Sequence, residues 1–269
     1  MKQNEVLVKW KGSKRLQAER ILFHFPKETD TYYEPFLGGA SVLYEAIKNK
    51  AAKKYRASDH NKPLIEIWKL VQNDPNRLFE DYTIRWHKLQ SKGKDYYYET
   101  RSEFNKDQDP LKFFFLLRTC RNGLVRYNKK GEFNSGFHLR RSGIRPQNLK
   151  SILNQWNCEF GKVDIKFEVK DYQKVNAKSG DFLYLDPPYV SKEVYYYGDF
   201  NINLLFDWLR SLKCNYALSL NGSENGIDKT IDVPIDLYTK HVFIENGFQR
   251  LADSKVEVKH SLYVRNHVS

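Results

Sequence analysis

Asp186-Pro187-Pro188-Tyr189 follows the apolar run Phe182-Leu183-Tyr184-Leu185, so a carboxylate arrives where a buried strand meets solvent. Proline fixes its own φ and biases the residue before it towards extended backbone, which makes the Asp186 carboxylate and the Pro187 carbonyl a rigid pair of acceptors. That pair suits chemistry on an amino group. An exocyclic amine conjugated to a heteroaromatic ring is a poor nucleophile, and acceptors that polarise its N–H bonds assist its attack on an electrophile. The ring of Tyr189 beside them would stack on such a heterocycle. Taken alone, the same four residues also fit a plain turn after a strand.

A second stretch carries chemistry of a different kind. Tyr32-Tyr33-Glu34-Pro35-Phe36-Leu37-Gly38-Gly39-Ala40-Ser41 runs from β-prone residues through a glycine pair into Val42–Ile47, which reads as a helix. Glycines there let backbone approach a ligand closely, and the helix N-terminus offers free N–H groups. Tyr55–Ser58 reads as the next strand and ends at Asp59. An acid in that place either holds a cofactor ribose or caps the helix beginning near Pro63. Asp171, after an Ile165–Val169 strand, reads by itself as a strand-terminating turn residue.

These stretches stand in register with Lys9-Trp10-Lys11-Gly12-Ser13-Lys14, with Ser58-Asp59-His60-Asn61, and with Asn122-Gly123-Leu124-Val125-Arg126-Tyr127-Asn128 and Gly131-Glu132-Phe133-Asn134. In that order, from residue 9 to about residue 222, they resemble the DNA adenine-N6 methyltransferases of the Dam-like, D12 class. The resemblance implies methyl transfer from S-adenosylmethionine to N6 of an adenine flipped out of duplex DNA, with GATC the leading expectation for the site. It makes Asp186, Pro187, Pro188 and Tyr189 catalytic. It places Trp10, Lys14, Glu34, Pro35, Phe36, Gly38, Gly39, Ser41, Asp59, Asp171, Tyr172 and Asp186 around the cofactor. Phe36 and Gly38 would flank its methionine part, and Asp59 and Asp171 its adenosine. The chemistry requires no metal. The alternatives are an RNA adenine-N6 methyltransferase and an inactive, sequence-specific DNA-binding module.

By the same resemblance Asn122–Asn134 is a target-recognition hairpin, with Lys9, Arg121, Asn122, Leu124, Arg126, Asn128, Lys129, Lys130 and Asn134 on double-stranded DNA. Arginine suits guanine because its planar fork donates twice to O6 and N7; Lys129 and Lys130 suit phosphates. The chain departs from the family pattern in three places. Ser13 replaces a second glycine, Arg121 stands where an aromatic wedge is usual, and Ser135-Gly136-Phe137-His138 replaces Val-Pro-Phe-Gly.

A formal charge of +12 and a pI near 9.4 over 269 residues fit an acidic partner such as nucleic acid. Cys120, Cys158 and Cys214 are too few and scattered for a disulfide framework. With neither a signal-peptide pattern nor a bilayer-length apolar run, a cytoplasmic protein is the expectation. A monomer is expected as well, with any cognate restriction endonuclease acting separately. His24, His60, His87, His138, His241, His260 and His267 show no metal-ligand spacing and read as surface or core residues.

The elements that must position these groups alternate between helices and short apolar strands, which predicts an α/β fold: a Rossmann-like methyltransferase mixed sheet flanked by helices, with a mainly helical target-recognition insertion. Lys14–Phe25 reads as a helix, Tyr32–Pro35 as the first strand and Ser41–Asn49 as its helix. Ile65–Val71, Arg77–Gln90, Tyr96–Phe104 and Leu111–Cys120 read as successive helices whose aromatics Trp68, Trp86 and Phe113–Phe115 are core. Leu204–Leu212 is another helix and Tyr216–Leu220 another strand. Val242–Phe248 and Val256–Val264 form a terminal antiparallel pair, although Lys255–His260 also fits a loop near DNA. Residues 1–62 and 149–269 are assigned to the catalytic domain and 63–148 to the recognition domain.

Overall fold

Eight strands form one mixed sheet in the computed structural model, which describes residues 6–140, 142–188, 200–251 and 254–266, apart from the side chains of residues 122, 246–251 and 254–256. In chain order they are β1 (Thr31–Glu34), β2 (Lys54–Asp59), β3 (Asp164–Val169), β4 (Phe182–Leu185), β5 (Asn215–Glu224), β6 (Ile227–Asp228), β7 (Lys240–Leu251) and β8 (Ser254–Arg265). The spatial order is β3-β2-β1-β4-β5-β8-β7, with β6 paired to β5. The first five are parallel, and β8 and β7 close the sheet as antiparallel strands.

The order reverses between β1 and β4. From β1 the chain turns through α2 (Ser41–Lys48) to β2, whereas from β4 it turns through α8 (Ile202–Ser211) to β5. Connections that depart in opposite directions leave a crevice beyond the carboxyl ends of the two strands, where ligands bind in open α/β sheets. β4 is buried at every position because both faces are covered. Tyr32, Tyr55, Phe182, Tyr184, Ala217, Leu262 and Val264 face one core. Leu183, Leu185, Tyr216, Leu218, Leu220 and Tyr263 face the other, against Leu205, Phe206 and Leu209 of α8.

Between β2 and β3 the chain inserts α3 (Lys62–Asn73), α4 (Pro75–Lys92), α5 (Lys94–Asp107) and α6 (Pro110–Thr119). Three of these start alike, with proline in the first turn and an Asx cap. Asn61 accepts from Leu64 N–H, Asp74 from Arg77 N–H and Asp109 from Leu111 N–H. Each such cap contributes about 1 kcal/mol. Trp68 and Phe113–Phe115 are fully buried, and Trp86 is partly so.

Three expectations change. The Lys14–Phe25 helix is only α1 (Ala18–Leu22), because Gly12 has φ +81° and Lys14 is committed to the crevice, leaving turns before it. Lys255–His260 is not a loop but part of β8, paired with β5 and β7. A further helix, α7 (Pro146–Phe160), was not anticipated. Its Leu149, Ile152, Leu153, Trp156 and Phe160 are buried at helical spacing behind Pro146. Among the described residues, no helix is long and apolar enough to cross a membrane.

Candidate active site

The crevice at the β1/β4 switch is a cleft of about 900 Å³, open solvent at its mouth included. Four separate pieces of chain line it: Trp10–Lys14, the turn from Glu34 to Val42, Asp59–Asn61 and Asp186–Pro188. Val125, Tyr127 and Tyr184 complete the wall.

The glycine turn is built so that backbone forms the cleft floor. Gly38 has φ +46°, and a Cβ there would lie 2.8 Å from Cδ1 of Trp10, whose indole covers the turn. Both oxygens of the buried Asp59 hold this backbone in place. Oδ2 accepts the Gly38 N–H at 3.1 Å and Oδ1 the Asn61 N–H at 3.0 Å. The indole of Trp68 donates to the Gly38 carbonyl at 3.1 Å. Burial raises the Asp59 pKa, with the neighbouring His60 and the backbone N–H groups acting against it. The cap of α3 is Asn61, so the capping alternative for Asp59 does not hold. Ser13, the residue in place of a glycine, has its hydroxyl 2.7 Å from that of Ser41 at the start of α2.

At the other wall, the Lys14 ammonium donates to both Asp186 oxygens at 2.6 Å and to the Gly12 carbonyl at 3.1 Å. The Lys14 side chain is 2% exposed and that of Asp186 20%, so the carboxylate remains open to the cleft while its partner is sealed behind it. Glu34 ends β1 beside this pair. Burial pushes its carboxyl up to about 8, although the Tyr32 hydroxyl donates to it at 2.5 Å. The Tyr184 hydroxyl, 2.8 Å from that of Ser219, is raised by burial and then by Asp186.

Above the cleft, residues 120–138 form the expected hairpin, with Tyr127 bridged to Phe133 and Cys120 to Phe137. Val125, Tyr127, Phe133 and Ser135 turn inward, whereas Arg126 and Asn134 are exposed. Tyr127 ties the hairpin to the cleft, its hydroxyl accepting from Asn61 Nδ2 at 3.1 Å. Ser135 joins the two arms of the hairpin and ties them to α5. Its hydroxyl donates to the Leu124 carbonyl and accepts the Arg126 N–H, while its own carbonyl accepts from the Tyr97 hydroxyl. Lys11 faces Arg126; burial and then that guanidinium lower its pKa.

The structure therefore gathers Trp10, Lys14, Glu34, Phe36, Gly38, Gly39, Ser41, Asp59, Asp186, Pro187 and Pro188 on one cleft. Pro35 is buried and does not line it. Asp171 is exposed and also stays outside the lining; its carboxylate accepts the Gln173 N–H at 2.8 Å. Tyr172 does not line the cleft; its ring packs on that of Phe36, which does, the ring centroids being 5.1 Å apart. Of the hairpin residues, Arg121, Arg126, Lys129, Lys130 and Asn134 are exposed, Lys9 and Leu124 are half-buried, and Lys9 packs on Gly123. The Asn128 side chain is occupied within the hairpin itself, where its Oδ1 accepts the Lys130 and Glu132 N–H groups and closes the turn. Tyr189 and the Asn122 side chain lie outside the described residues. Sequence reasoning missed Asn61, Tyr127, Tyr184 and His60 as lining residues; Asp59-His60-Asn61 and Arg126-Tyr127-Asn128 were visible as motifs, but not which of their members turn inward.

The sequence model of the family described as D12 class N6 adenine-specific DNA methyltransferase matches residues 10–242. A type II methyltransferase of Methanocaldococcus jannaschii, M.MjaIII, is 38% identical over 201 residues, covering 68% of this chain and 68% of that protein. The DNA adenine methylase of Escherichia coli is 31% identical over 199 residues, 70% of this chain and 66% of its own length. That of Haemophilus influenzae is 26% identical over 272 residues, 94% and 90% respectively.

Proposed function

The chain belongs to the D12 class N6 adenine-specific DNA methyltransferases, and from that premise we propose that its cleft takes S-adenosylmethionine and an adenine rotated out of double-stranded DNA. The observation that carries this reading is the meeting, at the β1/β4 switch, of the glycine turn with Asp186 and the Pro187–Pro188 backbone. When bound, S-adenosylmethionine supplies an electrophilic methyl group on a sulfonium.

The residues fit that ligand. Gly38 presents backbone where any side chain would collide with Trp10, so the floor is flat enough for close approach. Phe36, Gly38 and Trp10 would border its methionine part, and Asp59 the ribose. Asp171 and Tyr172 would face its adenosine portion. Glu34 supplies negative charge close to a cation once it ionises.

An adenine inside the stack cannot reach Asp186, so it must leave the duplex at a cost of a few kcal/mol, which DNA contacts offset. Asp186 then accepts one N6–H and the Pro187 carbonyl the other, redirecting the nitrogen lone pair towards the methyl group. A carboxylate has about four lone-pair sites, so donation from Lys14 leaves Asp186 free to accept again. Asp186 need not take the proton as the bond forms, because the newly methylated N6 is cationic and strongly acidic and loses a proton to solvent afterwards. Tyr189 would stack on the base. Arg126 would read the site, Lys9, Arg121, Leu124 and Asn134 would flank it, and Lys129 and Lys130 would hold phosphates; GATC remains the leading candidate sequence. Incubating the protein with labelled S-adenosylmethionine and duplex DNA, with RNA as the parallel substrate, tests this reading: label on adenine N6 of the DNA supports it, and label in RNA alone overturns it.

A further inference from the structure

A run of buried hydrogen bonds joins the recognition hairpin to the glycine turn. Asn61 Nδ2 donates to the Tyr127 hydroxyl at 3.1 Å, the Asn61 N–H to Asp59 Oδ1 at 3.0 Å, and the Gly38 N–H to Asp59 Oδ2 at 3.1 Å. Tyr127, Asn61 and Asp59 are all buried, so water competes little with these bonds. Asn61 is fixed at the centre. Its side-chain oxygen accepts the Leu64 N–H at 3.0 Å as the cap of α3. An N–H can meet only the oxygen of the amide, so the cap also decides that Nδ2 faces the hairpin.

Both ends of the run matter to a ligand. At one end the turn needs holding: Gly38 has φ +46° and Ala40 φ +54°, and a residue other than glycine keeps left-handed backbone only under restraint. At the other end Tyr127 lines the cleft while Arg126 beside it is exposed. A duplex held on Arg126 therefore also fixes the backbone that carries Tyr127. Lys9-Trp10 joins the same two parts by packing. A Cβ on Gly123 would lie 2.8 Å from Cβ of Lys9, and one on Gly38 2.8 Å from Cδ1 of Trp10.

We propose that Tyr127 and Asn61 are positioning residues that couple the two ligands: a duplex seated on the hairpin steadies the Gly38 turn through them and tightens the hold on S-adenosylmethionine. This rests on the methyl-transfer reading of the cleft. Whichever ligand binds first orders the shared run of bonds, and the second no longer bears that cost. The coupling is reciprocal, so the cofactor tightens the duplex by the same factor. The cleft thus grips the cofactor hardest when DNA is in place.

The test measures by calorimetry the dissociation constant of S-adenosylhomocysteine, the demethylated product, for the full chain. It is taken alone and with a saturating duplex carrying the sequence that the wild type methylates. The duplex should tighten binding about fivefold or more. Tyr127→Phe keeps the ring and loses the hydroxyl, and should reduce this ratio at least about threefold, the packing through Lys9-Trp10 remaining. Asn61→Ser keeps a capping oxygen for α3 and loses Nδ2, and should do the same. The double variant should fall no further than either single one. A purely structural loss shifts both dissociation constants together and leaves their ratio alone. Tyr97→Phe is the control: it removes the hydroxyl that holds the Ser135 carbonyl of the hairpin but lies off the run, and it should keep the wild-type ratio. A wild-type ratio near unity would overturn the inference and leave the functional reading standing. An unchanged ratio in Tyr127→Phe, or an equal fall in Tyr97→Phe, would overturn it too. A wild type that methylates no duplex would sink the functional reading and the coupling with it.

Discussion

Lys14 and Asp186, 172 positions apart in sequence, form a two-pronged contact with 2.6 Å from the ammonium nitrogen to each carboxylate oxygen. The acceptor proposed for the adenine amine is therefore pre-aimed by a partner on another segment. Breaking a sealed pair strands the remaining charge, at a cost of about 3–5 kcal/mol for fully buried cases. Asp186 keeps some solvent contact, so the lower end applies.

Asp186→Ala is expected to lower methyl transfer by at least about a thousandfold, in line with the loss of a group that stabilises the transition state, while the circular dichroism spectrum stays native. Activity above about a tenth of wild type would remove Asp186 from the mechanism.

Gly38→Ala meets two obstacles at once: φ of +46° and an indole carbon 2.8 Å from the new Cβ. Left-handed backbone costs a non-glycine residue roughly 1–3 kcal/mol, and the shifted Trp10 would alter the cleft floor. Thermal stability should fall, and affinity for S-adenosylmethionine measured by calorimetry should fall further. Unchanged affinity would show that the turn is not part of the ligand site.

Glu34 links stability to pH. Its folded pKa is raised from 4.5 to about 8, so the folded state holds a proton that the unfolded chain releases first. The stability this confers is complete below 4.5 and is lost as pH rises through 8, with about 3 kcal/mol gone by pH 7 on an order-of-magnitude reckoning. Glu34→Gln should flatten that part of the profile and stabilise the ligand-free protein at neutral pH. It should also weaken binding of the cationic cofactor. Denaturation midpoints of the two proteins from about pH 5 to 9 would run parallel if Glu34 ionised as an exposed carboxyl does.

Arg126 points out of the hairpin while Val125 and Tyr127 point in. If it reads guanine, Arg126→Ala should cost about 1–3 kcal/mol on the cognate site and little elsewhere. Methylation rates on duplexes with single base changes measure this, and an equal loss on every sequence would make Arg126 a phosphate contact.

What the sequence disclosed was local. Asp186 after a fully apolar strand, the glycines from Gly38, and Asp59 ending β2 each carry their signal within a few neighbouring residues. The hairpin's inward and outward sides required the register of Tyr127 against Phe133. Helix α7 is legible in the helical spacing of Leu149, Ile152, Leu153, Trp156 and Phe160. Asp59 was ambiguous because Asp and Asn compete for the same cap, and Asn61, two residues on, took it.

The most direct test of the account is to incubate the purified protein with labelled S-adenosylmethionine and unmethylated genomic DNA and to map N6-methyladenine at base resolution, with Asp186→Ala in parallel. The account predicts methylated adenine at one short sequence for the wild type and none for the variant. Transfer by both proteins, or label on a group other than adenine N6, would contradict it.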